Sequence, residues 1–352
     1  MTKFKSAFSA LLSLTFFQLH AQDPLTEGWQ HFAENDFTAA RRSFQKLLNG
    51  PQAARGHLAL SLVSAAEGGQ LKAGEQHYLD FYRTSNNPQP YISGLWSMNY
   101  GQRSEAQIQL LEEMITRESG TLLALARQAL GHHYYAKGDF RKADQFFTAT
   151  GSVREWSVLG EFENISESGF DKEFGALLRP RPTDVFKNKW GVEVKWFDIK
   201  APSYDNWVDM AYFFYAENSI IYAQNFCQSP SDQEVEFRLG VSGSAKVWVN
   251  DQLVFTEADE RNNNTDAYRF PVQLKGGNNR ILVQLGASEI DRCNFLLRIT
   301  DENGTSLDNL SFTTQYSEYP KVAGDVGEAL ADETEAFFLD KIEQEPDVME
   351  NY

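Results

Sequence analysis

The chain has 352 residues, a formal net charge of −17 at neutral pH and a hydrophobic content of 42%. This length accommodates two domains with separate cores, and the composition is globular and not disordered. The negative charge argues against nucleic-acid binding, because phosphate recognition needs clustered lysines and arginines. It argues equally against a hold on anionic lipid.

The N-terminus has the pattern of a secretory signal peptide. Lys3 and Lys5 supply positive charge, and the apolar run 7–19 precedes the small residue Ala21. The run is too short for an ordinary membrane span, and no later stretch approaches ~18 apolar residues. We therefore expect an exported chain of Gram-negative type, periplasmic or secreted, that begins at Gln22 and does not insert into a membrane.

Residues 22–152 contain a repeated helical pattern. Segments 28–37 and 131–140 share their glycine, alanine, aspartate and phenylalanine positions, and their offset of 103 residues is close to three units of 34. Helical hairpins need a tight turn, a small residue where the helices meet and an aromatic ring to fill the gap. The small residue recurs at Ala40, Gly74, Ala106 and Ala143.

The best copy of this pattern, Gly131–Phe147, resembles the tetratricopeptide repeat. The resemblance implies a solenoid whose concave face binds a peptide or protein. On that face the best copy would present Gln128, His132 and Tyr135. The alternative is that these three side chains contact the next domain, or only water.

Residues 153–316 have short alternating runs in place of the helical period. In the clearest run, 233–240, apolar and charged residues alternate, as in a strand with one buried face. One apolar and one polar face on each strand is typical of antiparallel sheets that pack on each other. We therefore predict a β-sandwich.

Two segments of this region resemble the jelly-roll, sugar-binding-like sandwich found in many glycosidases. They are 247–251, which ends in the predicted turn Asn250-Asp251, and 274–283. Members of that family pair a strand ending in Val-Asn-Gly with a later Leu-x-x-Gly-x-Asn hairpin, whereas Asp251 here replaces the usual glycine. The glycines at 276–277 predict a hairpin through positive φ between two strands, 270–275 and 280–286.

The order of signal peptide, repeats and sandwich resembles the N-terminal region of large exported bacterial proteins, some of which carry a transglutaminase-like domain downstream. We therefore predict a multidomain α plus β chain. Its parts are a signal peptide over 1–21, a tetratricopeptide-like solenoid over 22–152, a jelly-roll sandwich over 153–316 and an acidic helical tail over 317–352. The tail is either an ordinary helix or the start of a further repeat.

No catalytic or metal-binding motif is recognisable in the sequence. Histidines are confined to the signal peptide and the repeats, so the sandwich lacks imidazole-dependent chemistry. His132 and His133 are adjacent on a helix and diverge by about 100°, which prevents joint chelation of one ion. We predict no enzymatic activity, no cofactor and no metal.

The predicted ligand-binding residues of the sandwich are Trp248, Asn250, Asp251 and Arg261. Trp248 faces outward on its strand and is a candidate for stacking on a sugar ring; the alternative is that a crossover segment or the repeats cover it. Export makes a disulfide between Cys227 and Cys293 one possibility, and two separately buried thiols the other.

Three functions are compatible with this organisation. In the leading interpretation the chain is a non-catalytic adaptor, whose repeats hold a protein or peptide while the sandwich serves as a rigid spacer. In the second, the sandwich binds a carbohydrate, which requires Trp248 to be exposed beside a polar groove. In the third, the chain is an accessory region of a larger transglutaminase-like protein.

Overall fold

The structure, a computed structural model, describes residues 23–352 except 69–70, 97–103, 202–204, 291, 323, 325–328, 332, 347, 349–350 and 352. The predicted signal peptide lies outside the described residues, as do most of the last six. The described residues divide into two compact units, one comprising those up to Thr84 together with Val348, the other comprising the rest. The division therefore falls inside the helical array and not at residue 152, where the sequence pattern changes.

The first unit contains two helical hairpins. Helix α1 (Pro24–Ala33) packs on α2 (Phe37–Gln45), and α3 (Ala53–Glu67) packs on α4 (Leu71–Thr84). Helix α2 also packs on α3. Helices α1, α2 and α3 share a core that consists of Leu25, Trp29, Ala40, Phe44, Leu47, Ala59, Leu60 and Val63.

The helices of the second unit are α5 (Gln89–Gly94), α6 (Glu105–Arg117), α7 (Gly120–Ala136), α8 (Phe140–Ala149) and α9 (Glu333–Gln344). Helix α7 packs on both α6 and α8. Helix α9, in the predicted tail, packs on α5, where the Tyr91 ring lies edge-on to Phe337 and Phe338. No helix in the described part of the chain is long and apolar enough to cross a membrane.

The first and last hairpins share one close contact between a glycine and a ring. A Cβ atom on Gly28 would lie 2.3 Å from a ring atom of Phe44, and one on Gly131 would lie 2.5 Å from a ring atom of Phe147. Both rings are fully buried. The sequence match between these segments therefore reflects the same contact in both hairpins. In each, the absence of a Cβ on glycine lets an aromatic ring pack directly against the helix backbone.

The turns of these two hairpins are also alike. Asn35 and Gly138 adopt the left-handed conformation, with φ of 61° and 80°. The next residues, Asp36 and Asp139, cap α2 and α8 by accepting hydrogen bonds from the backbone N–H three residues later. The shared Asp in the sequence pattern is thus an N-cap.

The strands are β1 (Glu155–Glu163), β2 (Phe186–Lys187), β3 (Glu193–Val194), β4 (Phe197–Lys200), β5 (Val208–Asp209), β6 (Ser219–Ser229), β7 (Gln233–Val249), β8 (Gln252–Asn262), β9 (Tyr268–Leu274), β10 (Gly277–Ala287), β11 (Asn294–Thr300) and β12 (Ser311–Thr313). Apart from the β2–β3 pair they form one antiparallel sheet, in the order β4-β1-β6-β10-β7-β11-β5, with β8 and β9 on β7 and β12 on β6. The sheet curves around one large core. The fold is therefore α plus β, with helices followed by a sandwich-like sheet, as predicted at that level.

The long strand β7 organises the sheet. Ser242 pairs with Asn262 of β8 on one side and with Asn294 of β11 on the other. Strands β8 and β9 follow each other along one side of β7, and β10 and β11 along the opposite side. The predicted hairpin between 270–275 and 280–286 is therefore wrong, because β7 separates the two strands.

Both predicted turns nevertheless have the expected backbone. Asn250 and Asp251 have φ of 53° and 68° between β7 and β8, which is a two-residue hairpin turn of type I′. Gly277 has φ of 97°, but it begins a strand that joins the far side of β7. The glycine pattern identified the conformation correctly and the strand pairing incorrectly.

The central strands are buried on both faces. Ile221 and Ala223 of β6 face the main core, whereas Ile220 and Tyr222 belong to a second apolar cluster on the opposite face. Segment 165–197 covers that opposite face with Phe174, Ala176, Leu177, Phe186 and Trp196. Because both faces are covered, residues 220–223 of β6 form an uninterrupted apolar run in place of alternation.

Candidate binding cleft

An open cleft of about 570 Å³ lies between the last helical hairpin and one end of the sandwich. Its helical wall consists of Trp96, Leu125, Gln128 and His132. The segment around β5 contributes Asp205, Trp207, Asp209 and Tyr212. The strand ends contribute Ser242, Asn263, Asn264, Thr265, Arg292 and Asn294.

Helix α7 presents one face to the cleft. Leu125, Gln128 and His132 are spaced three and four residues apart, so they lie on the same side of the helix. Gln128 is buried, and its Oε1 accepts a hydrogen bond of 3.2 Å from the hydroxyl of Thr265 on the sandwich. Of the residues predicted for the concave face, Gln128 therefore contacts the sandwich, which was the alternative interpretation of the sequence.

The third residue predicted for that face does not line the cleft. Tyr135 is 37% exposed and lies edge-on to Phe140, with ring centroids 5.0 Å apart. Two of the three predicted helix residues, Gln128 and His132, are thus brought together at the cleft, and Tyr135 lies elsewhere on the last hairpin.

The segment around β5 supplies a carboxylate whose pKa is unusual. The Asp205 carboxylate accepts a hydrogen bond of 2.7 Å from the backbone N–H of Trp207. Burial, reinforced by the nearby Asp209, raises the pKa of Asp205 to about 6. Asp205 is therefore charged at neutral pH and becomes a proton donor in mildly acidic solution.

The same segment is anchored to the last helix. The Asn206 side chain is fully buried and donates hydrogen bonds of 2.9 Å to the Phe147 carbonyl and 2.8 Å to the Thr150 hydroxyl. These bonds hold Asp205 and Trp207 beside α8 through the residue between them.

A glycine on β7 allows the two walls to approach. A Cβ atom on Gly240 would lie 2.6 Å from the Asn264 carbonyl oxygen and 2.7 Å from the Trp207 ring. The absence of a side chain thus lets the indole and the 263–265 loop lie against the strand. This contact explains why a glycine follows Glu234, Glu236 and Arg238 on the polar phase of β7.

A buried network of charges joins the last hairpin to the sandwich next to the cleft. Asp266 forms a salt bridge with Arg298 and lies 3.7 Å from Arg238, which in turn pairs with Glu236 at 2.7 Å. Thr121 at the start of α7 donates to Asp266 at 3.1 Å. Because these charges are almost fully buried and hydrogen-bonded across the joint, they restrain α7 against the sheet.

Of the two alternatives for Trp248, an exposed platform and a covered ring, the structure has a partly buried ring. It lies on the outer face with Lys246, as expected, and packs against the second apolar cluster, as Phe174 and Leu177 also do. Lys246 donates a hydrogen bond of 3.1 Å to the Phe170 carbonyl of the same covering segment. The alternation along β7 correctly predicted that Trp248 lies on the outer face of the sheet. The segment that covers this face lies some 75 positions earlier in the sequence.

The other predicted sandwich residues also lie outside the cleft. Asn250 is buried in its turn, and Asp251 pairs with Arg280 at 3.3 Å. Arg261 is exposed on β8 and pairs with Asp259 at 2.6 Å. The first two stabilise a hairpin, and none of the three borders the space lined by Trp207.

The two cysteines are buried free thiols. Cys227 lies in β6, and Cys293 immediately precedes β11, which is not a neighbour of β6 in the sheet. Burial raises the pKa of the Cys227 thiol to about 12, which makes it unreactive. Of the two alternatives left open by the sequence, the structure has the separate thiols.

Comparisons with known proteins give little information. No protein-family model matches the chain, and no curated protein sequence matches it. Among solved structures, a β-glucosidase from Kluyveromyces marxianus in complex with glucose aligns at 17% identity and a TM-score of 0.23, over 33% of this chain and 15% of its own. A family GH31 α-xylosidase from Xanthomonas citri aligns at 14% identity and a TM-score of 0.21, over 35% of this chain and 15% of its own. Similarity this limited carries no argument about fold or activity.

Proposed function

We propose that this chain is an exported, non-catalytic binding protein whose cleft takes a neutral saccharide. The observation that carries the proposal is the composition of the cleft, where Trp207 and the exposed ring of Tyr212 lie among carboxylate and amide side chains. A sugar ring offers an apolar C–H face for an aromatic ring and hydroxyls for carboxylates and amides. The volume of about 570 Å³ suits a small ligand.

The charges of the cleft favour an uncharged ligand. Asp205 and Asp209 face the cleft together with one exposed arginine, Arg292. Two carboxylates would repel an anionic ligand, and the whole chain, at −17, adds to that repulsion. Carboxylates accept hydrogen bonds strongly and are therefore suited to neutral hydroxyl groups.

The helices and the sandwich have separate roles in this proposal. We assign the helical hairpins to a tetratricopeptide-like array, on the support of the shared contacts of Gly28 with Phe44 and of Gly131 with Phe147. The sandwich is assigned to the jelly-roll class. The last hairpin then forms one wall of the sugar site, and the predicted signal peptide directs the chain out of the cytoplasm.

The proposal is tested by screening the purified chain against immobilised neutral glycans, followed by calorimetric titration of each positive sugar. We expect Trp207→Ala to weaken binding at least about tenfold, because it removes the ring against which the sugar packs. The matched control is Trp190→Ala, because Trp190 is 60% exposed and lies outside the cleft. Circular dichroism verifies that both variants are folded.

Two results contradict the proposed sugar binding. One is the absence of binding to any neutral glycan, and the other is equal binding by Trp207→Ala and the native chain. Recovery of the ligand separates binding from catalysis: we expect the sugar to be recovered unchanged after prolonged incubation, and a cleaved product would overturn the non-catalytic assignment.

A peptide adaptor is the second candidate, and one observation favours it. Tyr135 and Phe140 form an exposed aromatic pair on the last hairpin, with Phe140 60% exposed. Large exposed rings are enriched where proteins meet. If a peptide partner is found, Phe140→Ala should weaken that complex and leave sugar binding unchanged, whereas Trp207→Ala should do the reverse.

A further inference from the structure

The first unit brings together three side chains of the kinds that ligate metals. His57 on α3 faces His77 and Asp80, which are one turn apart on α4. The three ligand atoms all lie within 4.8 Å of one another. His57 Nδ1 is 3.0 Å from His77 Nδ1 and 4.0 Å from Asp80 Oδ2. In the part of the chain that the structure describes, these residues form the one such group of three.

The donor atoms suit a first-row divalent cation. Two imidazole nitrogens and one carboxylate oxygen form a set used by zinc, which binds such ligands at about 2.0–2.2 Å. In a tetrahedral site, ligand atoms at that distance lie roughly 3.3 Å from each other. The separations of His57 from His77 and Asp80, 3.0 and 4.0 Å, bracket this value, and all three atoms lie within 4.8 Å, so side-chain rotations can bring them onto one ion.

The charges around the cluster favour a cation. Asp80 contributes the negative charge that attracts a cation. The neighbouring cation Arg41 forms a salt bridge with Glu67, which offsets its repulsion of an incoming ion.

We propose that His57, His77 and Asp80 form a binding site for zinc or a similar divalent cation, which ties α3 to α4. Three protein ligands leave a fourth position of the tetrahedron for water or another ligand. The site lies outside the cleft residues and does not depend on the proposed sugar binding. It adds to the first unit a link between helices that packing alone does not supply.

The test is a calorimetric titration of the metal-free chain, purified without a histidine tag, with Zn²⁺. We expect one equivalent to bind and the melting temperature to rise with Zn²⁺ concentration. A parallel titration with Co²⁺ should give the visible absorption of a tetrahedral complex. His77→Ala and the isosteric Asp80→Asn should each weaken Zn²⁺ binding at least tenfold and remove the thermal shift.

His31→Ala is the matched control, because His31 lies in the same unit on α1 and outside the cluster. It should bind Zn²⁺ as the native chain does. The proposal is overturned by the absence of saturable binding, or by equal binding in the native chain and the folded Asp80→Asn and His77→Ala variants. Asp80 is partly exposed, so its substitution tests the site even if His77→Ala fails to fold.

Discussion

The first and last helical hairpins of this chain have the same internal contacts and different neighbours. In the first, α2 packs on α3, where Gly56 meets the Phe44 carbonyl and the Leu47 side chain. In the last, the carbonyl of Thr150 after α8 accepts a hydrogen bond of 2.8 Å from the buried Arg298 of the sheet. The repeated residues thus specify the hairpin, and the residues that do not repeat determine which part of the chain the hairpin packs against.

The largest effects we predict come from removing the buried ring in each hairpin. Phe44→Ala and Phe147→Ala should each lower the free energy of unfolding by about 3–5 kcal/mol, since both rings are fully buried. Only Phe147→Ala should also weaken sugar binding, because the Phe147 ring contacts the ring of His132 in the cleft wall, at a centroid distance of 5.3 Å. Urea unfolding, with hydrogen–deuterium exchange to localise the change, measures both effects. Weaker sugar binding by Phe44→Ala would contradict the separation of roles.

A smaller effect is expected from filling the glycine contact. Gly28→Ala and Gly131→Ala place a Cβ within 2.6 Å of a ring atom, and each should cost about 1–3 kcal/mol as the ring is displaced. Gly50→Ala is the control, because its nearest contact would be 3.6 Å away. Urea unfolding measures the loss of unfolding free energy in each variant. Unequal losses for Gly28→Ala and Gly131→Ala would show that the elements packed around each hairpin, and not the shared sequence pattern, determine how well the extra Cβ is tolerated.

The cleft beside the last hairpin predicts a dependence on pH. The pKa of Asp205 is raised from 3.8 to about 6, so the folded chain holds this proton more tightly than the unfolded chain. The free energy of unfolding contributed by Asp205 is therefore greatest below about pH 4 and decreases as the pH rises to about 6. Asp205→Asn removes the cost of burying the charge and should stabilise the chain at pH 7 by about 1–3 kcal/mol.

The same substitution should weaken sugar binding, because it removes a charged hydrogen-bond acceptor from the cleft. Asp308→Asn, at an exposed position outside the cleft, is the control and should change neither property. Melting temperatures measured from pH 4 to pH 7 test the prediction, and parallel curves for Asp205→Asn and the native chain would exclude the burial of charge at Asp205.

Local features of the fold could be predicted from the sequence because they depend on neighbouring residues. The glycine, cap and ring positions of the two hairpins appear in the sequence at helical spacing, and the Asn250-Asp251 turn is marked by its residue types. Strand pairing was harder to predict, since β9 and β10 are adjacent in sequence and lie on opposite sides of β7. Nothing local indicates that one strand of 17 residues separates them.

The candidate sites were mostly missed because distant segments form them. The cleft combines α7 with residues 205–212 and 263–265, and segment 165–197 covers Trp248. One clue was present: Asp205, Trp207, Asp209 and Tyr212 form a dense run of acidic and aromatic residues. Two of the three residues of the metal cluster, His77 and Asp80, could be paired from their helical spacing in the sequence. The third, His57, joins them only because α3 packs on α4.

The smallest predicted effect concerns the capping aspartates. Asp36→Ala and Asp139→Ala each remove an exposed hydrogen bond to the backbone N–H of Ala39 or Lys142, at 3.0 and 3.1 Å. Each should cost about 1 kcal/mol, measured by urea unfolding, because the helix loses one partner for its free N–H groups. Asp36→Asn and Asp139→Asn keep a capping oxygen and should cost less. Equal losses of unfolding free energy in Asp36→Ala and Asp139→Ala would mean that the cap belongs to the repeated pattern. A larger loss in Asp139→Ala would mean that the start of α8 also supports the contact with the sandwich.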